Sequence, residues 1–411
     1  METSVMNRLQ REAYDAFFRR ENVFITGSAG TGKSYVLMQI MRAATKKFKV
    51  GLTGTTGSAS HLIGGRTFHS FLGIGLGRGT AQQLATNTMA KNKACVKKLK
   101  QLDVLIIEEV SMLDHELFEK TSDYLSIIRN NPKPFGGLQV VVLGDFCQLP
   151  PVSRTSGNYC FKSSVWRSLD FTMIKLTELI RQHDDPDFQE ILEKVRWGDC
   201  DEATLRILKS WIREPVDDSV KPTRLYPTNV NVDRINEEEF EKLTSEADSE
   251  SVPRETYMTT YGSSAARAWA ASSKVPEHVK LCVGAQVVVT WNINQALGIV
   301  NGSRGVIIAV YPHGVLIRDV KGREILIEYV TITDANLSVT YMPLKLAYAL
   351  TIHRCQGMTL DSVLIDLGSS IFEYGQAYTA LSRVKNSESV YLLDVEASSF
   401  KCHPDVKAFY I

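Results

Sequence analysis

At 411 residues the chain is too long for one small domain, and two or three are expected. A 44% hydrophobic content is that of an ordinary globular protein, and a formal net charge of +1 excludes a global basic field, so any site for a polyanion must be a local groove. The seven cysteines (Cys95, Cys147, Cys160, Cys200, Cys282, Cys355, Cys402) are scattered without a CxxC pair, which argues against a zinc site or disulfide framework and fits a reducing compartment.

The chain begins "METSVMNRLQREAYDAFF", which lacks an apolar signal core and carries Glu2, Glu12 and Asp15. No segment has the length of a membrane span, so a soluble, intracellular protein without a membrane partner is expected. Nucleus, mitochondrion, bacterial cytoplasm and viral replication site are not distinguished. Short apolar runs follow at 22–27, 48–54, 103–109 and 138–145, with a helix from about Lys33. Each run is continuous, not alternating, as suits strands buried on both faces of a parallel sheet; a ligand then binds at their carboxyl ends.

The first run ends in "GSAGTGKS", Gly27, Ser28, Ala29, Gly30, Thr31, Gly32, Lys33 and Ser34, with a strand before and a helix after. This is a phosphate loop. Glycines let the backbone N–H groups ring a β-phosphate at the positive end of the helix, the lysine reaches the outer phosphates and the serine hydroxyl ligates Mg²⁺. The third run closes in "VLIIEEVSMLD" with Glu108 and Glu109, acids placed to serve the metal and the water. No NKxD guanine-reading motif exists; "NKAC" at 92–95 ends wrongly. After the fourth run, "LGDFCQLPPV" brings Asp145 and Gln148, and the glutamine can touch both γ-phosphate and water. The lysines of "AKNKACVKKLK" (90–100) are either a solvated helix face or part of a small strand-separating or DNA-gripping insertion of the first domain near 73–100.

From 153 a second domain is expected. "RSLDFTMIKLTELIRQ" reads as a strand, 187–199 and 203–212 as helices, and 223–243 as a strand and a helix. The acidic stretch at 244–255 reads as a loop. Beyond it apolar and polar residues alternate between glycine turns, with hairpins at "HGVL" and "VKGR", before "LKLAYALTI" returns to the parallel sheet.

The order of these motifs resembles the petite-integration-frequency (PIF-type) DNA helicases of superfamily 1. The likeness runs nearly end to end, through "TTGSASHLIGGRTFHSFLGIGLG" (55–77), "RNNPKPFGGLQVVVLGDFCQLPPV" (129–152), "LIRQ" (179–182), "VGAQVVVTWNI" (283–293), "LAYALTIHRCQGMTL" (346–360) and "FEYGQAYTALSRV" (372–384). The resemblance implies an α/β fold with two RecA-like parallel-sheet domains and a small SH3-like β-barrel inserted in the second. The expected parts are 1–152, then 153–243 with 344–411, and the insertion at 244–343. It implies ATP and Mg²⁺ as cofactors and single-stranded, forked or G-quadruplex DNA as partner, with movement 5′ to 3′ by a monomer.

The resemblance also assigns residues. Gln10 reads the adenine edge, Glu109 is the general base, and Glu108 stands where the family has a Mg²⁺-holding Asp. Lys33 and Gln148 serve the γ-phosphate, and Arg181 and Arg383 reach it from the second domain. Thr55, Thr56, Gly57, Phe68, His69, Phe71, Pro150, His353 and Arg354 contact DNA. Cys355 replaces a usual Ser and has no base partner. The inserted barrel is either a strand clamp or filler. A translocase that strips proteins without parting strands, and a binding module with a dead site at Glu108, are the other readings.

Overall fold

The computed structural model describes residues 6–56, 59–60, 63–75, 77–152, 157–215, 220–245, 252–272, 275–294, 297, 299, 301–334 and 337–411. Six parallel strands form the first sheet: β1 (Val23–Gly27), β2 (Val50–Gly54), β3 (Arg66–Thr67), β4 (Val104–Glu108), β5 (Gln139–Leu143) and β6 (Thr172–Leu176), in the order β3-β2-β4-β5-β1-β6. β1, β4 and β5 are buried at every position. Their side chains alternate between two cores. Val104 and Ile106 join Val23, Ile25 and Val141 beneath the helices Arg8–Phe18 and Lys33–Ala44, while Leu105 and Ile107 join Phe24, Val140 and Val142 on the other face. Apolar content on both faces explains the unbroken runs in the sequence.

β6 corrects the expected boundary at 152. It pairs in parallel with β1 from Val23↔Thr172 to Gly27↔Leu176, so the first sheet extends to Leu176. As an edge strand it is only half covered, and its alternating pattern carried no mark of which sheet it joins.

The second sheet has four parallel strands in the order Ala349–Thr351, Thr223–Tyr226, Val363–Leu367, Val390–Val395. Between its first and second strands in sequence lies an antiparallel insertion. Five strands (Gln286–Val289, Arg304–Tyr311, Gly314–Asp319, Glu324–Glu328, Leu344–Leu346) enclose a core of Val287, Val289, Ile307, Ile317, Ile327 and Leu344, with Tyr257 and Leu281 contributed by a two-stranded ribbon. Hairpins turn at 312–313 and 320–322, as the sequence predicts. Leu344–Leu346 pairs with Gln286–Val289, so the return to the parallel sheet begins at Ala349, later than the expected 344. Half of the acidic stretch, 246–251, lies outside the described residues.

The basic run occupies the end of helix Ala81–Lys91 and the helix Lys93–Gln101, which separate at the capping Asn92. Cys95 and Leu99 point into the core, and Lys93, Lys97 and Lys100 are exposed. The C-terminal helix Pro404–Tyr410 returns to the first domain: the Phe409 ring stacks 4.3 Å from Phe161, and the Tyr410 hydroxyl lies 2.7 Å from Thr26 Oγ1.

Candidate active site and nucleic-acid interface

β1 ends at Gly27, and the next helix begins at Lys33. Between them Gly30 and Gly32 have φ of +92° and +86°. A Cβ on Gly30 would stand 2.7 Å from the Arg181 Cβ, and one on Gly32 would stand 2.9 Å from Gln10 Nε2. Both the turn and the close approach therefore require glycine. Lys33 Nζ donates to the Gly27 and Ser28 carbonyls at 2.7 and 3.0 Å, and Thr31 Oγ1 donates to the same Ser28 carbonyl at 2.9 Å. Enclosure of the ammonium lowers its pKa, while Asp145 and Glu109 oppose that shift. A phosphate placed in this loop offers the lysine a stronger acceptor than a neutral carbonyl.

The two acids at the end of β4 diverge. Glu108 Oε1 accepts a hydrogen bond from Ser34 Oγ at 3.1 Å, and its Oε2 is buried without a partner. Burial first, and then Glu109, push the Glu108 carboxyl up to about 8. A serine hydroxyl beside an orphaned buried carboxylate oxygen is a hard-oxygen donor set that fits Mg²⁺. Glu109 has the left-handed conformation φ 55°, ψ 48°, rare for a residue with a side chain. Glu109 Oε2 accepts from Gln356 Nε2 of the second domain at 3.1 Å.

Two arginines complete the cleft. Arg181 Nη1 donates to the Ser382 carbonyl at 2.7 Å; Arg383 Nε donates to the Thr379 carbonyl and Nη2 to Ser382 Oγ, each at 2.7 Å. Among the described residues no ion pair joins either guanidinium to a carboxylate. Desolvation and the neighbouring Arg383 bring Arg181 down to about 9. A cavity of about 580 Å³ is bounded by Gln10, Lys33, Ser34, Glu108, Glu109, Gln148, Arg181 and Arg383. Ala29, Gly30 and Gly32 also line it, while Gly27, Ser28 and Thr31 shape the loop through the bonds above.

Gln10 is the third residue of its helix and closes a capping box. Its Oε1 accepts from the Asn7 N–H at 3.2 Å, which leaves the buried Nε2 without a partner at the cavity. Gln148 Oε1 is likewise buried and unpartnered. Tyr35, Ile180 and Lys385 also line the cavity and were not foreseen. Each lies in or next to a quoted motif, and of the three only Lys385 carries a charge suited to phosphate. Gln356 and Tyr378 were missed because their partners lie 247 and 349 residues away in the chain.

On the other side of the acids two cavities, of about 790 and 300 Å³, adjoin at Thr56, Met112 and Val152. Thr55, Thr56 and His69 line the first; Thr56, His353 and Arg354 line the second. Thr55 ties this groove to the acids: its N–H donates to the Glu108 carbonyl at 3.1 Å and its Oγ1 to the Glu109 carbonyl at 2.8 Å.

Two expectations for the groove change. Phe68 and Phe71 are 0% and 7% exposed, so neither offers a stacking face for a base, although Phe68 still lines the first of the two cavities; Phe71 is capped by Lys98, whose Nζ lies 3.8 Å from the ring centroid. Pro150 is buried, and the 84% exposed Val152 borders the groove instead. Gly57 lies outside the described residues. Cys355 is buried, and burial pushes its thiol up to about 11, in keeping with an inert residue.

A phosphate loop on one parallel sheet, with Arg383 facing it from the domain of a second parallel sheet, defines a nucleotide-driven enzyme of tandem RecA-like domains. Arg181, expected from the second domain, is instead held against the loop itself, its N–H donating to the Gly30 carbonyl at 3.2 Å just beyond β6 of the first sheet, and reaches the second domain only through its bond to Ser382. The chain matches the model of the PIF1-like helicase family over residues 5–206 and that of the DNA helicase Pif1 2B domain over residues 271–310. It is 35% identical over 412 residues to the ATP-dependent DNA helicase Pif1 of Bdellovibrio bacteriovorus, covering 98% of this chain and 90% of that one. The crystal structure of Pif1 helicase from Candida albicans superposes with a TM-score of 0.82 at 31% identity, covering 99% of each chain. Pif1 helicase from Bacteroides in complex with ADP-AlF3 and ssDNA superposes with a TM-score of 0.71 at 25% identity, covering 100% of this chain and 97% of that one. The chain belongs to the PIF1-like helicase family.

Proposed function

We propose that this protein is an ATP-driven motor that moves 5′ to 3′ along single-stranded DNA and unwinds duplex, forked and G-quadruplex DNA. The observation that carries the reading is the pair of guanidiniums without acid partners, Arg181 and Arg383, lining the same cavity as Lys33 and Glu109. Such a cationic fork awaits an anion, and charge on a transferring phosphoryl group supplies it.

ATP enters with its base at Gln10 Nε2 and its phosphates in the loop. Lys33 leaves its carbonyl partners for the β- and γ-phosphates. Ser34 and Glu108 would hold Mg²⁺, which would supply neutralisation of phosphate charge. Glu109 orients the attacking water with Gln148, while Arg181 and Arg383 stabilise the charge that develops. The bond from Gln356 to Glu109 links the second domain to the acid that faces the water.

Thr55 makes the coupling to DNA concrete, since a shift of the strand in the groove acts directly on the backbone of Glu108 and Glu109. The Bacteroides relative, solved with ADP-AlF3 and ssDNA, supports a nucleotide and a strand bound together. Polarity and the G-quadruplex substrate rest on the family resemblance. That it works as a monomer likewise rests on the family resemblance.

The test is ATP hydrolysis with Mg²⁺, with and without single-stranded DNA. Turnover stimulated by DNA and abolished by Lys33→Ala is expected; a Lys33→Ala variant that hydrolyses ATP normally would overturn the site.

A further inference from the structure

The short helix Gln376–Leu381 brings two groups to the cleft. Arg383, just past its end, lines the cavity. Tyr378, inside it, meets the phosphate loop. The Ala29 N–H donates to Tyr378 Oη at 2.8 Å, and the Tyr378 hydroxyl donates in turn to Asp145 Oδ2 at 3.3 Å. Asp145 is clamped from its other side by Arg196 Nε and Nη2, each at 3.0 Å. All three side chains are buried.

A buried tyrosine with a satisfied hydroxyl is common in any core. The choice of partner sets this one apart. Amides of a phosphate loop are the groups that receive phosphate, and one of them is held here by a side chain from the second domain. The tyrosine and the arginine also belong to one rigid piece. The Ser382 N–H donates to the Tyr378 carbonyl at 3.0 Å, and Arg383 Nε donates to the Thr379 carbonyl at 2.7 Å. At the head of the helix, Gly375 with φ +69° lies against the Cys147 and Gln148 backbone, where a Cβ would stand 2.7 Å from the Gln148 carbonyl carbon. The helix therefore touches the loop carrying Gln148 as well as the loop carrying Lys33.

We propose that Tyr378 is a positioning residue that makes the seating of Arg383 and the set of the phosphate loop a single event. Its hydroxyl holds the Ala29 N–H when the second domain closes and lets it go when the domains part. The proposal rests on reading the cavity as an ATP site. An interaction made only in the closed state contributes to kcat and not to ground-state nucleotide affinity.

Tyr378→Phe keeps the ring and removes the hydroxyl. In the full chain, the Kd of a fluorescent ATP analogue without DNA should stay within about twofold of the parent. With saturating single-stranded DNA, kcat should fall about tenfold, the effect of one lost buried hydrogen bond on the closed state. An unchanged kcat overturns the proposal, as does a loss of kcat matched by an equal loss of affinity, which is what a merely structural role gives. A parent chain without DNA-stimulated turnover overturns the motor reading itself; an active parent with an unaltered variant overturns this proposal alone. Hydrogen exchange on the parent is a second readout, independent of whether the variant folds. The Ala29 amide should exchange more slowly with a non-hydrolysable analogue plus single-stranded DNA than with the analogue alone, and equal rates overturn the proposal.

Discussion

Arg181 donates to the Ser382 carbonyl at 2.7 Å, one residue before Arg383, so the two guanidiniums sit in one cleft and the second helps depress the pKa of the first to about 9. Like charges without acid partners oppose the fold locally, and a site that tolerates this is built for an anion.

Removing either arginine should therefore separate function from stability. Arg181→Ala and Arg383→Ala are each expected to lower kcat for DNA-stimulated ATP hydrolysis about 100-fold or more, with KM changed only a few-fold. Lysine at either position should not restore the rate, because it lacks the planar fork. Melting of Arg181→Ala by scanning fluorimetry should show a Tm equal to or above the parent's. A lowered Tm with full kcat would make Arg181 structural.

Glu108 stands where the family resemblance implies an Asp. Its unpaired oxygen and its carboxyl held at about 8 describe a group that wants a cation. Chelation with EDTA should abolish hydrolysis. Glu108→Gln should raise the half-saturating Mg²⁺ concentration about tenfold or more and stabilise the metal-free protein. Glu108→Asp should remain active, since the charge is kept and water can span one methylene. A Mg²⁺ titration of hydrolysis for the three proteins checks this; an inactive Glu108→Asp would show that the longer side chain is required.

The groove carries a pH signature. Burial holds both His69 and His353 below the ordinary histidine value, so both are neutral at pH 7. In the unfolded chain they protonate near about 6.5. The folded state binds fewer protons there, so stability is flat above about pH 7 and erodes as pH falls through that value. DNA phosphates favour the charged imidazole. Affinity for a labelled single strand, followed by anisotropy at fixed salt, should rise from pH 8 to pH 6. The slope should vanish in a His69→Gln/His353→Gln double variant; an unchanged slope would remove the histidines from the interface.

The parts legible in the sequence were those whose chemistry needs neighbouring residues. Gly30, Gly32, Lys33 and Ser34 announce a phosphate loop because backbone curl, lysine and hydroxyl must come at fixed spacing. The strands β1, β4 and β5 were plain because burial on both faces leaves an unbroken apolar run. What stayed hidden was set by the tertiary structure. β6 chose the first sheet through a partner far back in the chain, and Leu344–Leu346 completed the insertion before the chain changed sheets. Phe68 and Phe71 sit among groove-lining residues in sequence, yet the short helix Phe68–Leu72 turns both rings into the core. Tyr378 and Gln356 are ordinary residues until folding sets them against Ala29 and Glu109.

The most direct test of the motor is strand displacement with ATP and Mg²⁺ on duplexes that carry either a 5′ or a 3′ single-stranded tail. Unwinding from the 5′ tail alone, lost in Lys33→Ala, is the predicted result. Unwinding from the 3′ tail, or from neither tail while DNA-stimulated ATP turnover persists, would contradict it.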